Sequence, residues 1–321
     1  MSGSRALGIV AVVLVASALA VGCAPTEPDA GRDESDAQRG PGNDAAMAPT
    51  LTAIGNLTFA GIEDGPVTLV DGLWEGAPFA PGGASRPSVG LAEDFQISGD
   101  LDGDGAPETV VVLWQSSGGS GTFDYLAVVG RRRAALVNLG TAPLGDRVQI
   151  RDARVEGTNV VLDLVQQGPG DAACCPTQKT TRRWSLTSAG LVEGEPVVEG
   201  TISTHDLENV TWRLVRLGET APPESLEVTL TFAGNRIAGQ GPCNRYFADF
   251  AEGGTATALE IGAAIGSTRM ACAEPVMAFE HAYFDALAGV RSFGFSLERL
   301  VLASRRDGAI STLLFAAQGE P

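Results

Sequence analysis

The chain has 321 residues, of which 44% are hydrophobic and 19% charged, and its formal net charge is −17. This length allows two domains, and the apolar fraction is sufficient for packed cores. So strong a negative charge disfavours nucleic acid and anionic membrane surfaces as partners. The 41 glycines and 18 prolines favour turns and short strands over long helices.

Residues 1–22 have the pattern of an export signal. Arg5 is followed by an apolar run, Ala6–Val21, and the run ends at Gly22-Cys23. Small residues before this cysteine resemble a bacterial lipobox, in which the Cys23 thiol takes a diacylglyceryl group before the signal is cut. The alternative is an uncleaved membrane helix, for which the run is near the short limit. We expect acylated Cys23 to anchor the protein to a bilayer of the cell envelope. If the cell has an outer membrane, we expect the anchor to lie in that membrane and the protein to face the periplasm.

Residues 23–50 are acidic and proline-containing and hold almost no large apolar side chain. Such a segment cannot bury enough surface to fold. We predict a disordered acidic tether that sets the distance between the membrane and the folded part.

Residues 51–200 carry short apolar runs separated by Gly, Asp or Asn turns, which is typical of an antiparallel β domain. No segment here has a convincing helical period. We expect a sandwich or a partly closed barrel, of a family that the motifs do not identify, followed by an acidic joint at Gly194–Ser203. The predicted strands are Thr109–Trp114, Phe123–Gly130, Ala134–Leu139, Val148–Val155, Val160–Val165 and Trp184–Leu186.

Residues 201–321 predict a second domain, of the α+β class. Together with the β domain before it, this makes the predicted fold class of the whole chain mainly β. Ala273–Val290 is the one clear helix, with Pro275 in its first turn and a wide apolar stripe. The predicted arrangement is a curved antiparallel sheet packed on this helix. Its strands are expected at Thr211–Leu217, Leu226–Phe232, Leu300–Ser304 and Ile310–Phe315.

Four motifs follow one another in this second domain. They are a strand with Trp212, the turn Gly241-Pro242-Cys243-Asn244, the segment Ser267-Thr268-Arg269-Met270-Ala271-Cys272, and a helix with Glu280. This order resembles the META domain (HslJ-like) family over about Asp206–Ala317, although the family usually has Gly-Cys-Asn without the intervening proline. The resemblance implies a role in the cell envelope or in stress tolerance and assigns no reaction.

The chain has five cysteines, and the anchor would use Cys23. Cys243 and Cys272 both lie in motifs that carry the resemblance, and an exported protein meets an oxidising compartment, so we expect a disulfide between them. The alternative is two buried free thiols. Cys174 and Cys175 are adjacent, and a vicinal disulfide, two thiols or an intermolecular link are all open.

The sharpest local motif is an acidic loop with Asp100, Asp102 and Asp104, followed by Gly105 and Glu108. Oxygen ligands at positions 1, 3, 5 and 9 with a glycine at position 6 suit a compact Ca²⁺ loop. The alternative is an acidic hairpin loop, because Asp-Gly pairs form turns readily. We predict a structural Ca²⁺ site at these four acids and no other cofactor.

Motifs for hydrolysis, phosphate binding or dinucleotide binding do not occur in the sequence, which has two histidines. We therefore expect a non-enzymatic lipoprotein that binds an envelope protein, a lipid or a glycan. The first alternative is an inhibitor of a periplasmic hydrolase that presents the Gly239–Tyr246 loop. The second is a thiol-dependent enzyme that uses Cys174 and Cys175.

Overall fold

Strands dominate the structure, and helices are few. The computed structural model describes residues 47–119, 121–306 and 308–319, so the predicted export signal, Cys23 and most of the tether lie outside the described residues. The helices are α1 (Leu51–Ile54), α2 (Glu274–Ala288) and a 3₁₀ turn at Thr204–Leu207. Within the described residues, none has the length and apolar composition needed to cross a bilayer. The predicted mainly β fold class is confirmed.

The first part of the chain is built on an antiparallel sheet that has six strands among the described residues, in the order β3-β4-β6-β7-β8 with β5 beside β6. A two-stranded ribbon, β1 (Thr58–Phe59) and β2 (Val67–Thr68), precedes it. The six strands are β3 (Leu73–Glu75), β4 (Ser88–Leu91), β5 (Ile97–Gly99), β6 (Glu108–Ser116), β7 (Phe123–Arg132) and β8 (Ala135–Asp146).

A second sheet follows, in the order β12-β11-β10-β9 with β13 also paired to β11. Its strands are β9 (Gln149–Glu156), β10 (Asn159–Gln166), β11 (Gln178–Thr187), β12 (Gly190–Glu193) and β13 (Val197–Thr201). The segment expected to be an acidic joint, Gly194–Ser203, therefore includes strand β13 of this sheet. All five residues of β13 are exposed, so the strand has no alternation of buried apolar and exposed polar side chains that a sequence pattern could detect.

The six-stranded sheet is covered on both faces. On β6, Val110 and Val112 belong to a core shared with the second sheet, whereas Val111 and Leu113 belong to a core with α1 and the ribbon. A strand buried on both sides has a continuous apolar sequence, which explains the unbroken run in β6. Helix α1 was not expected, because its four residues are too few to show a helical period.

The last part of the chain forms one antiparallel sheet in the order β18-β17-β16-β15-β14-β22-β21-β20, with β19 beside β17. The strands are β14 (Trp212–Leu217), β15 (Thr229–Ala233), β16 (Arg236–Gln240), β17 (Arg245–Glu252), β18 (Leu259–Ile261), β19 (Gly266–Ser267), β20 (Val290–Ser296), β21 (Arg299–Arg306) and β22 (Ala309–Ala317). A bridge between Ala258 and Ser292 joins the two ends, so the curved sheet nearly closes. Tyr283 and Leu287 of α2 enter the core of this sheet, which confirms the predicted sheet packed on one helix.

The hairpin of β20 and β21 lies against β9 of the second sheet. Phe295 donates its backbone N–H to Gln149 Oε1 at 2.7 Å. The backbone N–H of Glu298 donates to Ile150 O at 2.9 Å, and the Glu298 carboxylate accepts from Ala153 N at 3.1 Å. These bonds attach the hairpin firmly to the strand beside it.

Candidate functional site

A buried carboxylate on α2 holds the Cys-Asn turn. Glu280 Oε2 accepts the backbone N–H groups of Cys243 at 2.8 Å and Asn244 at 2.7 Å, and Oε1 accepts Asn244 Nδ2 at 2.7 Å. Glu280 is 2% exposed and Asn244 is 3% exposed. Three donors to one carboxylate are what a buried acid requires when no cation faces it.

Asn244, held by Glu280, in turn forms hydrogen bonds with the segment Ser267–Cys272. Its Oδ1 accepts the backbone N–H of Met270 at 2.7 Å and the hydroxyl of Thr268 at 2.8 Å. Cys243 and Cys272 form a disulfide. The segment 266–273, which comprises β19 and the loop between it and α2 and which we call the pinned loop, is therefore tied to the Cys-Asn turn by hydrogen bonds and by a covalent bond.

The pinned loop is exposed although it is tightly held. Met270 is 57% exposed, and Phe247, which pairs with Gly266 across β17 and β19, is 47% exposed. The guanidinium of Arg236 lies 4.5 Å from the centre of the Phe247 ring. Because Gly266 has no Cβ, the Phe247 ring can lie against its backbone; a Cβ there would be 2.7 Å from the ring. Met270 and Phe247 are thus partly exposed apolar side chains at this loop, and the Arg236 guanidinium lies over the Phe247 ring.

The turn beside it is buried. Gly241, Pro242, Cys243 and Asn244 are all buried, and Gly239 lies in strand β16. The Gly239–Tyr246 segment, named as an example of the loop that an inhibitor would present, is therefore mostly buried, with Arg245 exposed. Contact with α2 through Glu280 buries the turn, and that contact could not be predicted from the local sequence.

Two buried tyrosines, Tyr246 and Tyr283, are hydrogen-bonded to each other in the core near the turn. Tyr246 donates its hydroxyl to Thr229 O at 2.9 Å, which leaves Tyr283 to donate to the Tyr246 oxygen at 2.7 Å. Burial raises the pKa of both phenols above the ordinary value. Both therefore stay neutral and serve as hydrogen-bonding parts of the core.

The structure brings together three of the four acids of the predicted Ca²⁺ site. One oxygen from each of Asp100, Asp102 and Glu108 lies within 4.8 Å of the others. Asp104 lies outside this group, and its Oδ1 accepts the N–H of Ala106 at 2.8 Å. The donor set is all oxygen and fits a hard cation.

Two other contacts in this loop do not need an ion. Arg132 forms an ion pair with Asp102 at 3.0 Å, and Glu108 Oε2 accepts the N–H of Leu101 at 2.8 Å. Burial raises the pKa of Glu108, the hydrogen bond from Leu101 opposes this, and Asp102 and Asp104 raise it further. Calcium binding by this loop stays a prediction.

Cys174 and Cys175 form a vicinal disulfide in an exposed loop. Asp171 closes the loop, because its carboxylate accepts from Gly168 N at 2.8 Å and from Thr177 N at 2.7 Å. These backbone donors lower the pKa of Asp171 below its ordinary value, with partial desolvation opposing them. In the bonded state neither cysteine has a free thiol, so the thiol-dependent activity expected as an alternative would require reduction first.

A nearly closed antiparallel sheet with one packed helix, and a disulfide-tied turn bonded to a helix glutamate, define a small all-antiparallel α+β module. Residues 205–318 match the family model described as META domain, so the C-terminal third of the chain carries a META domain. An NMR structure of a protein from Burkholderia xenovorans is similar at 26% identity over 36% of this chain and 87% of that chain, with a TM-score of 0.31. No curated protein matches the chain.

Proposed function

We propose that this protein is a lipid-anchored lipoprotein of the cell envelope whose META domain binds another envelope component and contributes to stress tolerance, without a catalytic step. The observation that supports this proposal is the pinned loop, which is solvent-exposed and held in one conformation by Asn244 and by the Cys243–Cys272 disulfide.

A rigid exposed loop suits binding. A flexible loop loses conformational freedom when it binds, and this loss weakens the complex, whereas a loop already ordered loses little. Met270 and Phe247 supply apolar contact area, and Arg245 and Arg269, close to them in sequence, are exposed. In a chain of net charge −17, this patch is the place where an envelope protein, lipid or glycan would meet apolar and cationic groups together.

The anchor has its own test. Cys23→Ser removes the thiol that would be acylated, so the variant should leave the membrane fraction and appear in the soluble envelope fraction. Membrane association that survives both this substitution and a carbonate wash would instead support an uncleaved membrane helix.

The binding role is tested by Met270→Asp in the native cell, because a charge at the centre of the patch should prevent apolar contact. Ile310→Asp is the matched control: Ile310 is 73% exposed and lies on β22, outside the pinned loop. We expect cells that carry Met270→Asp to become as sensitive to detergents and cell-wall antibiotics as cells that lack the protein. Cells that carry Ile310→Asp should keep the parent's sensitivity. Equal behaviour of the two variants, both folded by thermal melting, would reject the pinned loop as the binding surface.

Inhibition of a periplasmic hydrolase is a second candidate function, favoured by the same rigidity of the pinned loop. A panel of secreted proteases and wall hydrolases would be assayed with a large excess of the protein. Inhibition that Met270→Asp abolishes would support this candidate, and full hydrolase activity throughout the panel would remove it.

A further inference from the structure

A cavity of about 230 Å³ lies where the β20–β21 hairpin meets the first two sheets. Its walls include Trp114, Asp124, Val148, Ile150, Phe295 and Leu297. We infer that this cavity is a binding site for a small organic ammonium ion, with the Asp124 carboxylate as its counter-ion and the Trp114 indole as its aromatic wall. This site is separate from the pinned loop and does not depend on the proposed function.

Trp114 and Asp124 are placed side by side by strand register. They are directly opposite each other in the pairing of β6 with β7, so both side chains leave the same face of the sheet. Trp114 also pairs with Gly90 on β4, and a Cβ at Gly90 would lie 2.3 Å from the indole ring. The missing side chain at Gly90 therefore leaves the space that the indole occupies over β4.

The META domain supplies the facing wall. Phe295 is 7% exposed and its backbone N–H is bonded to Gln149 at 2.7 Å, while Leu297 follows at the tip of the same hairpin. The hydrogen bonds of Glu298 to β9 fix the hairpin in this place. The cavity therefore needs both parts of the chain and is formed before any ligand arrives.

Asp124 has no cationic partner within the part of the chain that the structure describes. Three arginines on nearby elements have other partners. Arg147 forms an ion pair with Asp146 and a hydrogen bond to Ala173 O. Arg151 pairs with Asp206, and Arg299 pairs with Asp94. Burial raises the pKa of Asp124 to about 7, a backbone hydrogen bond from Val148 opposes this, and the nearby Asp146 raises it. A half-buried carboxylate held without a cation is costly, and such groups concentrate at binding sites.

The chemistry of the walls selects the ligand class. An alkylammonium ion gains an ion pair with the carboxylate and a cation–π contact with an indole face, the strongest aromatic partner for such ions. A hard divalent cation would need six or more oxygen ligands, and this cavity offers one carboxylate. The volume limits the ligand to a compact ion with short alkyl groups.

The test titrates the full chain in detergent with tert-butylammonium chloride, followed by calorimetry and by the NMR signal of the Trp114 indole N–H. Sodium chloride at the same ionic strength and tert-butanol, the neutral molecule of the same shape, are the controls. We expect saturable binding of the ammonium ion only. Saturable binding of tert-butanol with the same affinity, or no saturation by the ammonium ion, would overturn the inference.

Asp124→Asn keeps the shape and removes the charge, and should weaken binding by about tenfold or more. Glu195→Gln removes the same charge at an exposed position outside the cavity and should leave the affinity unchanged. In the parent protein, the affinity for the ammonium ion should fall about tenfold from pH 8 to pH 6, because the Asp124 carboxyl group is mostly protonated at pH 6. Equal affinity of Asp124→Asn and the parent, or an affinity independent of pH, would contradict the assignment.

Discussion

The Glu280 carboxylate accepts two hydrogen bonds from Asn244, one from its backbone N–H and one from its side-chain amide, each at 2.7 Å. The other end of Asn244 holds Met270 and Thr268. One acid on α2 thus positions a surface loop through the amide of Asn244. The Cys-Asn turn and the pinned loop are consequently a single structural unit.

Glu280→Ala should lower the free energy of unfolding by about 3 kcal/mol or more, because it leaves three buried donors without an acceptor. His281→Ala, an exposed neighbour on the same helix, should change it by less than about 0.5 kcal/mol. Urea unfolding followed by circular dichroism measures both. Similar values for the two variants would mean that the carboxylate network contributes nothing to stability.

Removing the Cys243–Cys272 disulfide with paired serine substitutions should cost about 3–4 kcal/mol, since the bond closes a loop of 29 residues. The pinned loop should then be cut faster by a protease. Serine at both Cys174 and Cys175 is the control, because a bond between adjacent residues restrains little of the unfolded chain. An unchanged cleavage rate in the first variant would show that Asn244 alone holds the loop.

Calcium should raise the melting temperature of the parent protein, and Asp102→Ala should abolish this rise while melting like the parent in chelator. Arg132→Ala removes the ion pair with Asp102 and keeps the acids, so its response to calcium should be equal to the parent's or larger. Melting curves that are identical in calcium and in chelator for all three proteins would reject the metal site.

Ionisation of Asp124 should make stability depend on pH. Its folded pKa of about 7 lies above the ordinary value of 3.8, so the folded state holds the proton more tightly than the unfolded state. The stabilising contribution is therefore present at low pH and is lost as pH rises through about 7. Asp124→Asn should gain stability relative to the parent between pH 5 and pH 8, by on the order of a few kcal/mol at the upper end. Urea unfolding at each pH gives the difference, and a difference that does not vary with pH would contradict this.

Strand positions in the first part of the chain were largely predictable. The run Thr109–Trp114 was expected as a strand, and β6 covers Glu108–Ser116. Here β-branched residues fill both faces of a covered sheet, so the signal is strong. Strand β13 gave no signal, because pairing with β11 rather than side-chain burial keeps it in place.

The site was less predictable, because its key contact joins residues far apart in sequence. The motifs with Cys243, Asn244 and Glu280 were recognisable, but their hydrogen bonds were not. One signal was present: Glu280 is three residues before Tyr283 and seven before Leu287, so it lies on the buried stripe of α2. An acid in that position requires internal donors, and the nearby turn supplies them.

The first and last strands of the META domain are neighbours in its sheet, with Leu214 on β14 opposite Phe315 on β22. This pairing spans the whole domain in sequence, and such distant pairings slow folding because loop-closure entropy is lost before any contact forms. While residues 309–317 are still being synthesised, β14 has one edge without its final partner. An incomplete sheet edge of this kind aggregates readily. We therefore expect the newly made chain to depend on a holding chaperone until its last strand arrives.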